Sequence, residues 1–232
     1  MRSQRREFLA RAGQGLVLAG TLGRGPEVLA KEPAGKKKGD DDVDPPEDLM
    51  REHGVLNRIL LIYEESGRRL EARQPLPADT LASAADIIKR FIEQYHEKLE
   101  EDHLFPRFEK ANKLGDLVAT LRKQHQAGRG LTETILTLAG AKSPADADRR
   151  KLVESMRLFV RMYRPHEARE DTVLFPALRS VVKPREFEAL GEQFEDKEHE
   201  LFGKEGFEGV VVQVGTLEQT LGLYDLAQFT PA

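Results

Sequence analysis

From Glu47 onward the apolar residues fall at spacings of three and four, as in Val55, Ile59 and Ile62 and again in Leu81, Ala84, Ile88 and Phe91. This is the rhythm of helices with one buried face. Short polar stretches carrying Gly or Pro break it at 74–79 (QPLPAD), 112–116 (NKLGD), 140–146 (GAKSPAD) and 183–185 (KPR). The breaks leave four long segments near 47–73, 78–111, 115–140 and 144–181, and a fifth near 184–202. Asp79 and Ser143 stand where they would cap the helices that follow, the second with Pro144 at the first helical position. Long helices joined by short loops pack as antiparallel neighbours. The expected fold is therefore all-α, an antiparallel up-down four-helix bundle with an additional C-terminal helix over 47–202. A C-terminal extension, 203–232, follows. Its VVVQV run reads as a strand and its LEQTL as a helix, with Gly at 203, 206, 209, 215 and 222 weakening both.

Four histidines, 53, 96, 125 and 166, fall one to each long helix. The midpoints between successive pairs lie at 74–75, 110–111 and 145–146, in or beside the three turns. Residues equidistant from a hairpin turn lie side by side, so all four imidazoles should share one level. An offset of two or three residues shifts that level by only a few ångströms, at roughly 1.5 Å per residue. Glu100 follows His96 by four, and Glu170 follows His166 by four, so each acid shares its histidine's helix face. Both pairs interrupt buried stripes, the fourth helix running Phe159, Met162, His166, Glu170, Val173. On the third helix the stripe is Val118, Leu121, His125, Gly128, Thr132, and on the first His53 is in line with Leu49, Leu56 and Leu60.

One histidine on an apolar stripe reads as a hydrogen-bonded core residue, and one His-x-x-x-Glu pair as a surface contact. Four levelled imidazoles with two inward carboxylates are different. Burying them unpaired costs several kcal/mol each, on the order of the transfer penalty for polar groups, and a cation offsets that cost. The chain has no cysteine, which excludes thiolate zinc sites, iron–sulfur clusters and disulfides. Imidazole and carboxylate donors suit iron, manganese or zinc, and carboxylates from opposing helices suit a bridged pair of ions.

The two pairs belong to one longer repeat. His96-Glu-Lys-Leu-Glu100-Glu-Asp-His-Leu104-Phe105-Pro106 and His166-Glu-Ala-Arg-Glu170-Asp-Thr-Val-Leu174-Phe175-Pro176 both read His-x-x-x-Glu-x-x-x-Leu-Phe-Pro. This motif, twice, each copy on the helix after the one that carries His53 or His125, resembles the hemerythrin-like family of HHE cation-binding domains over about 47–202. The resemblance implies a non-haem di-iron centre with His53, His96, Glu100, His125, His166 and Glu170 as ligands, Glu100 and Glu170 bridging. Manganese or zinc are the other candidate ions. Oxygen-carrying hemerythrins have a second histidine on the third helix, four after the first. Here that position is Arg129, and the fourth helix offers Glu170 rather than an Asp five places after its histidine. The chain is thus closer to the hemerythrin-like branch than to the carriers.

Glu97 is a candidate extra ligand, although it points about 100° away from His96. His103 and His199 read as ordinary core or surface residues. Pro165 removes a helix donor and predicts a distortion at 161–165. The expected ligands are dioxygen, nitric oxide or peroxide, bound for sensing, scavenging or storage. The alternatives are a di-iron peroxidase or oxidase, and an iron-binding or structural bundle. His103, Tyr95 and Tyr163 are candidate proton donors that spacing alone does not place. No redox or signalling partner is identified, and 203–232 is too short for an output domain.

Residues 1–30 carry five arginines and two acids, then a glycine-rich apolar stretch and Val28-Leu-Ala30, small residues at a cleavage site. That is the order of an export signal. Gln4-Arg5-Arg6-Glu7-Phe8-Leu9 resembles the twin-arginine motif, with Gln4 and Ala10 departing from its preferred ends, and implies a periplasmic or extracytoplasmic location. Residues 31–46 (KEPAGKKKGDDDVDPP) read as a flexible charged linker. The net charge is −4, and removing 1–30 makes it −7, so nucleic acid is not an expected partner. No apolar run approaches the roughly 18 residues of a membrane span.

Overall fold

The computed structural model describes residues 43–141 and 145–231. The export-signal reading, most of the charged linker and the Ser143–Pro144 cap lie outside the described residues. Among the described residues all regular structure is helical.

Helix α1 runs Pro45–Glu71. It starts earlier than the apolar rhythm indicates, because Pro45 and Pro46 occupy the first helical positions and the Asp44 side chain accepts a hydrogen bond from the Glu47 N–H at 3.2 Å. Proline has no N–H to leave unpaired there, and Glu47 and Asp48 sit against the positive end of the helix. Helix α2 comprises Thr80–Ile87, a π-helical stretch Ile88–His96, Glu97–Leu99, a second π turn Glu100–Leu104, and Phe105–Lys110. Asp79 does stand at its N-cap position, but in the left-handed region (φ 60°), and its side chain makes no capping bond. Helix α3 is Gly115–Ala139. Helix α4 comprises Asp146–Arg169, a π turn Glu170–Leu174, Phe175–Ala177 and a 3-10 turn Leu178–Ser180. Helices α5 (Pro184–Phe202) and α6 (Gly206–Leu221) follow, then a 3-10 turn at Leu226–Phe229. The VVVQV run is thus helical, burying Val210 and Val214 while Val212 is 68% exposed.

The two π turns explain the Leu-Phe-Pro ending of the repeated motif. Pro106 and Pro176 have no N–H, and in a regular α-helix each ring would meet the carbonyl four residues back. The turn just upstream widens instead, the Phe105 N–H bonding the Glu100 carbonyl and the Phe175 N–H bonding that of Glu170. Turns of this kind insert one residue into the ladder and re-aim the side chains beside them. This corrects two expectations. The chain is α-helical through 161–169, Pro165 included, and the distortion falls at Glu170–Leu174. Pro165 and Arg161 both lie on the exposed face, where water can satisfy the carbonyl that the proline leaves free. Val173, expected on the buried stripe, is 36% exposed, because the widened turn rotates it outward.

Helices α1 to α4 close a ring: α1 packs on α2 and α4, and α3 packs on α2 and α4. Phe91, Phe105, Phe108, Phe159 and Phe175 are fully buried in its core with Ile59, Ile62 and Leu121. Helices α5 and α6 pack on each other and on α1 and α2. Arg58 donates from Nε and Nη2 to both oxygens of Glu218 at 2.9 and 2.5 Å, and Arg69 donates to the Leu221 carbonyl at 2.7 Å, tying α6 to α1.

Between α3 and α4 the ring is tight at one place. Gly128 faces the Tyr163 hydroxyl, and a methyl group on Gly128 would overlap it. The phenol is buried and hydrogen-bonded, so it does not swing away cheaply. Gly128→Ala should cost about 1–3 kcal/mol, the range for overpacking a close-packed site. The thermal midpoint should fall by roughly 2–4 °C per kcal/mol at this size, measured by circular dichroism.

Candidate metal centre

The four histidines meet in the middle of the ring as two pairs. The rings of His53 and His96 are 4.7 Å apart, and those of His125 and His166 are 5.0 Å apart. Glu170 spans the pairs, with Oε2 3.4 Å from His53 Nε2 and Oε1 3.1 Å from His166 Nε2. Glu100 spans them from the other side, its Oε2 lying 3.8 Å from His96 Nε2 and 3.4 Å from His125 Nε2. All six side chains are buried, none more than 4% exposed.

The carboxylate oxygens and one imidazole nitrogen of this group are unsatisfied within the protein. Both oxygens of Glu100, both of Glu170 and Nε2 of His125 are buried without a hydrogen-bond partner. So many orphaned groups in one core would cost on the order of 1–3 kcal/mol apiece. Two donors bound to one cation at about 2.0–2.1 Å lie about 2.8–3.6 Å apart for angles of 90–120°. The observed nitrogen–oxygen separations are close to that range. His53, His96, Glu100 and Glu170 form one group able to hold an ion, and His125, His166 and Glu170 a second.

The outward nitrogens are all held. His53 Nδ1 donates to Asp171 Oδ1 at 2.8 Å, His96 Nδ1 to Glu52 Oε2 at 2.7 Å, His125 Nδ1 to Glu101 Oε1 at 3.1 Å, and His166 Nδ1 to Gln124 Oε1 at 2.9 Å. Each bond fixes the ring and the tautomer so that Nε2 points inward, the usual support of a metal-binding imidazole. Phe175 stacks on His53 and Phe105 on His125, each with ring centroids 5.5 Å apart. The α1–α2 half and the α3–α4 half therefore correspond residue by residue. In each half the histidine of the first helix is preceded by the residue that holds the histidine of the second (Glu52, Gln124). The central glutamate is followed by the acid that holds the other half's histidine (Glu101, Asp171), and the phenylalanine of the Leu-Phe-Pro ending covers that same histidine.

Sequence spacing does not single out Glu52, Glu101, Gln124 and Asp171, which lie outside the identical columns of the two motif copies. The acid column directly after Glu100 and Glu170 is the signal that could have found two of them. Glu97 lies outside the central groups. Its Oε1 accepts from the Tyr163 hydroxyl at 2.6 Å and its Oε2 pairs with Arg129 at 2.7 Å. Arg129 also donates to Glu101 at 2.7 Å. Glu97, Glu101 and His125 are close enough to form a further acid–imidazole group, but on the outward nitrogen's side. Arg129 thus fills the place of a second third-helix histidine with a cation that links two acids. His103 packs against Phe194, and His199 donates from Nδ1 to its own helix at the Glu195 carbonyl. Neither joins the central groups. Tyr163 lies beside the His125–His166 pair, its ring centroid 5.3 Å from that of His166. Tyr95 is directed to Glu198 instead, at 3.5 Å.

The electrostatics bind these groups to one another. Burial works against a charge on His53, but the Asp171 and Glu170 carboxylates outweigh it and hold the ring up to about 10. His125 is likewise held up to about 10, by Glu100 and Glu101 against its burial. Burial, then the neighbouring Glu170, pushes Glu100 up to about 8. Burial would raise Glu170 as well, but the His166 and His53 imidazoles keep it well below the carboxylate range. Burial lowers His96.

A cation binds neutral imidazoles and ionised carboxylates, so it must displace protons held by His53, His125 and Glu100. Loading at pH 7 should release about two to three protons, read with an indicator dye in weak buffer. The same shifts set the stability of the metal-free protein. An imidazole raised from 6.5 to about 10 stabilises the fold fully below about pH 6.5 and loses that contribution as pH climbs to about 10. Thermal melts of the metal-free protein should therefore fall across that window, and those of the loaded protein should not.

Comparison with known proteins agrees with this arrangement. The hemerythrin HHE cation-binding domain matches residues 44–148 and again 116–205. Uncharacterised proteins of Mycobacterium bovis and Mycobacterium tuberculosis are 48% identical over 227 residues, covering 97% of this chain and 89% of theirs. No solved structure matches. Among the described residues no helix is long and apolar enough to cross a membrane. The paired motif, the buried His/Glu clusters and the family match converge: the chain belongs to the hemerythrin HHE cation-binding family, helical proteins that hold a metal, typically iron.

Proposed function

We propose that this chain is a non-haem di-iron protein, an up-down four-helix bundle that binds dioxygen, nitric oxide or peroxide for sensing, scavenging or storage. The observation that carries this reading is the pair of carboxylates that each reach both imidazole pairs while accepting no hydrogen bond. His53 and His96 would hold one ion, His125 and His166 the other, with Glu100 and Glu170 shared. Reduced iron supplies the electrons that dioxygen or peroxide accepts. The protein's own contribution is orientation and exclusion. Asp171, Glu52, Glu101 and Gln124 hold the four rings, and Phe105 and Phe175 keep water from two of them. Manganese or zinc fit the same donors.

One observation favours a second reading, a di-iron peroxidase or oxidase. The Tyr163 ring lies beside His166 and its hydroxyl donates to Glu97, a buried phenol–carboxylate pair through which a proton can pass on that side. Reversible binding needs no such pair, whereas reduction of peroxide consumes protons.

The test is the optical spectrum of iron-loaded, reduced protein as oxygen is admitted and withdrawn. Bands that come and go support binding. Bands that persist, with turnover of peroxide and a reducing dye, support the enzyme. His96→Ala should lower the iron content below two per chain and remove the bands. Unchanged bands in that variant would remove His96 from the ligand set, and wild-type protein without such bands would leave only an iron-binding or structural bundle.

The N-terminal arginine pair supports export by the twin-arginine route, which carries folded, metal-loaded proteins. Arg5→Lys with Arg6→Lys should leave the protein in the cytoplasmic fraction, and unchanged export would refute the motif reading.

A further inference from the structure

An iron centre that gives up electrons has to be reduced again, and the electrons come from another molecule. The chain has no cysteine, so it has no iron–sulfur cluster of its own to supply them.

Charge is spread unevenly around the ring of helices. From Leu117 to Thr132 on α3, and from Ser155 to His166 on α4, there are six bases and no acid: Arg122, Lys123, Arg129, Arg157, Arg161 and Arg164. The chain as a whole is net negative, at −4. Arg122 and Arg129 pair with acids on α2, and Arg157 and Arg164 with acids on α1. Lys123 and Arg161 are exposed and pair with no acid among the described residues. Around them α3 and α4 expose small and apolar side chains, Thr120, Ala127, Pro165 and Leu158, the last 44% exposed. Helix α5 has the opposite character, with Glu188, Glu192, Asp196 and Glu200 exposed at intervals of four.

His166 lies under the basic face. A cavity of about 390 Å³ between α3 and α4 has Thr120, Gln124, Pro165 and His166 in its wall, with one acid, Asp116, and one base, Arg169. It meets the outer side of the ring, where Nδ1 is bonded to Gln124 at 2.9 Å. A molecule there touches no inner donor atom. An electron needs no such contact, because the same imidazole presents Nε2 to the centre, 3.1 Å from Glu170. On the α1–α4 side the outer nitrogen of His53 is held by Asp171, an acid 35% exposed, which repels an anionic partner. The Gln124 amide adds no charge.

We propose that the α3–α4 face docks an acidic one-electron carrier protein, with His166 as the point of electron entry. This rests on the di-iron reading above and adds the chemistry of the partner. In each encounter the carrier loses one electron and one ferric ion gains it, and no atom is transferred. Encounters of this kind are small and weak, and the charges around them act chiefly on the rate of association.

The probe is a reduced, acidic two-iron ferredoxin, mixed without oxygen with the iron-loaded, oxidised full chain. Loss of the ferric charge-transfer band gives the rate. Reduced methyl viologen, a small cation, is the comparison donor that needs no docking face. Reduction of wild type by ferredoxin should be fast at low salt and slow steeply as salt rises. Lys123→Glu with Arg161→Glu should slow it about tenfold or more and flatten the salt dependence, with iron content unchanged and the viologen rate within about twofold. Arg185→Glu with Lys197→Glu makes the same change in net charge on α5 and should leave the ferredoxin rate within about twofold. Thr120→Lys adds a base beside the His166 cavity and should raise the rate about threefold. Equal slowing by both reversed pairs, or by neither, overturns the docking face, as does wild-type protein that viologen reduces and ferredoxin does not. An unchanged or lower rate in Thr120→Lys overturns His166 as the point of entry. Self-association or duplex DNA binding that only Lys123→Glu with Arg161→Glu abolishes gives the face to a second copy or to nucleic acid, and overturns the proposal. Wild-type protein that takes up no iron overturns the di-iron reading itself, whereas iron-loaded protein reduced at one rate in every variant overturns this inference alone.

Discussion

Glu100 and Glu170 each have to satisfy imidazoles on two helices at once, and much of the architecture follows from that demand. Carboxylates this deeply buried are tolerated only where charge meets them. Here the nearest charges and dipoles are four rings from four helices. The helices must therefore come together at one level, and the chain must present each glutamate at an angle that a regular α-helix does not give. The π turns at Glu100–Leu104 and Glu170–Leu174 provide the angle, and the prolines at the end of each motif make the wider turn the comfortable one. The phenylalanine between them then falls on the other half's histidine. A run that looks like a linear signature is thus a set of instructions for one turn of backbone and the three contacts it makes.

The correspondence between halves extends beyond the ligands. Glu97 pairs with Arg129, four residues after His125, and Glu167 accepts from Asn57, four residues after His53. The α3–α4 side is the more polar version of the same plan, with Tyr163 added over Gly128. The centre is built twice and then differentiated, and the differences gather around one imidazole pair.

Much of this is legible in the sequence because it depends on spacing. The levels of His53, His96, His125 and His166 follow from where the turns fall, and the helix segments follow from the apolar rhythm. The α1 start is hidden because Pro45 and Pro46 look like linker until Asp44 is recognised as their cap. Pro165 misleads because its place on the exposed face, where water meets the freed carbonyl, is not read from the residue alone. Val173 misleads because a 100° step assumes uniform helix, and the inserted residue of a π turn leaves no mark in hydrophobicity. Glu52, Glu101, Gln124 and Asp171 are invisible for another reason. They act across helices, through outer nitrogens whose direction depends on ring rotation. The C-terminal VVVQV run could not be decided locally either. It is helical because α1, α2 and α5 offer it a surface to cover.

The four imidazoles come from four different helices, and that has a mechanical consequence. A cation pair at the centre would act as a non-covalent staple among α1, α2, α3 and α4. No one of them could then peel away without rupturing a coordination bond. Such a staple forms only once the ring is assembled, so it is absent from early folding events and weighs chiefly on the barrier to leaving the native state. The persistence of the folded protein, and its resistance to proteolysis where opening is slow, would then be set by how fast metal departs as much as by the packing of its core.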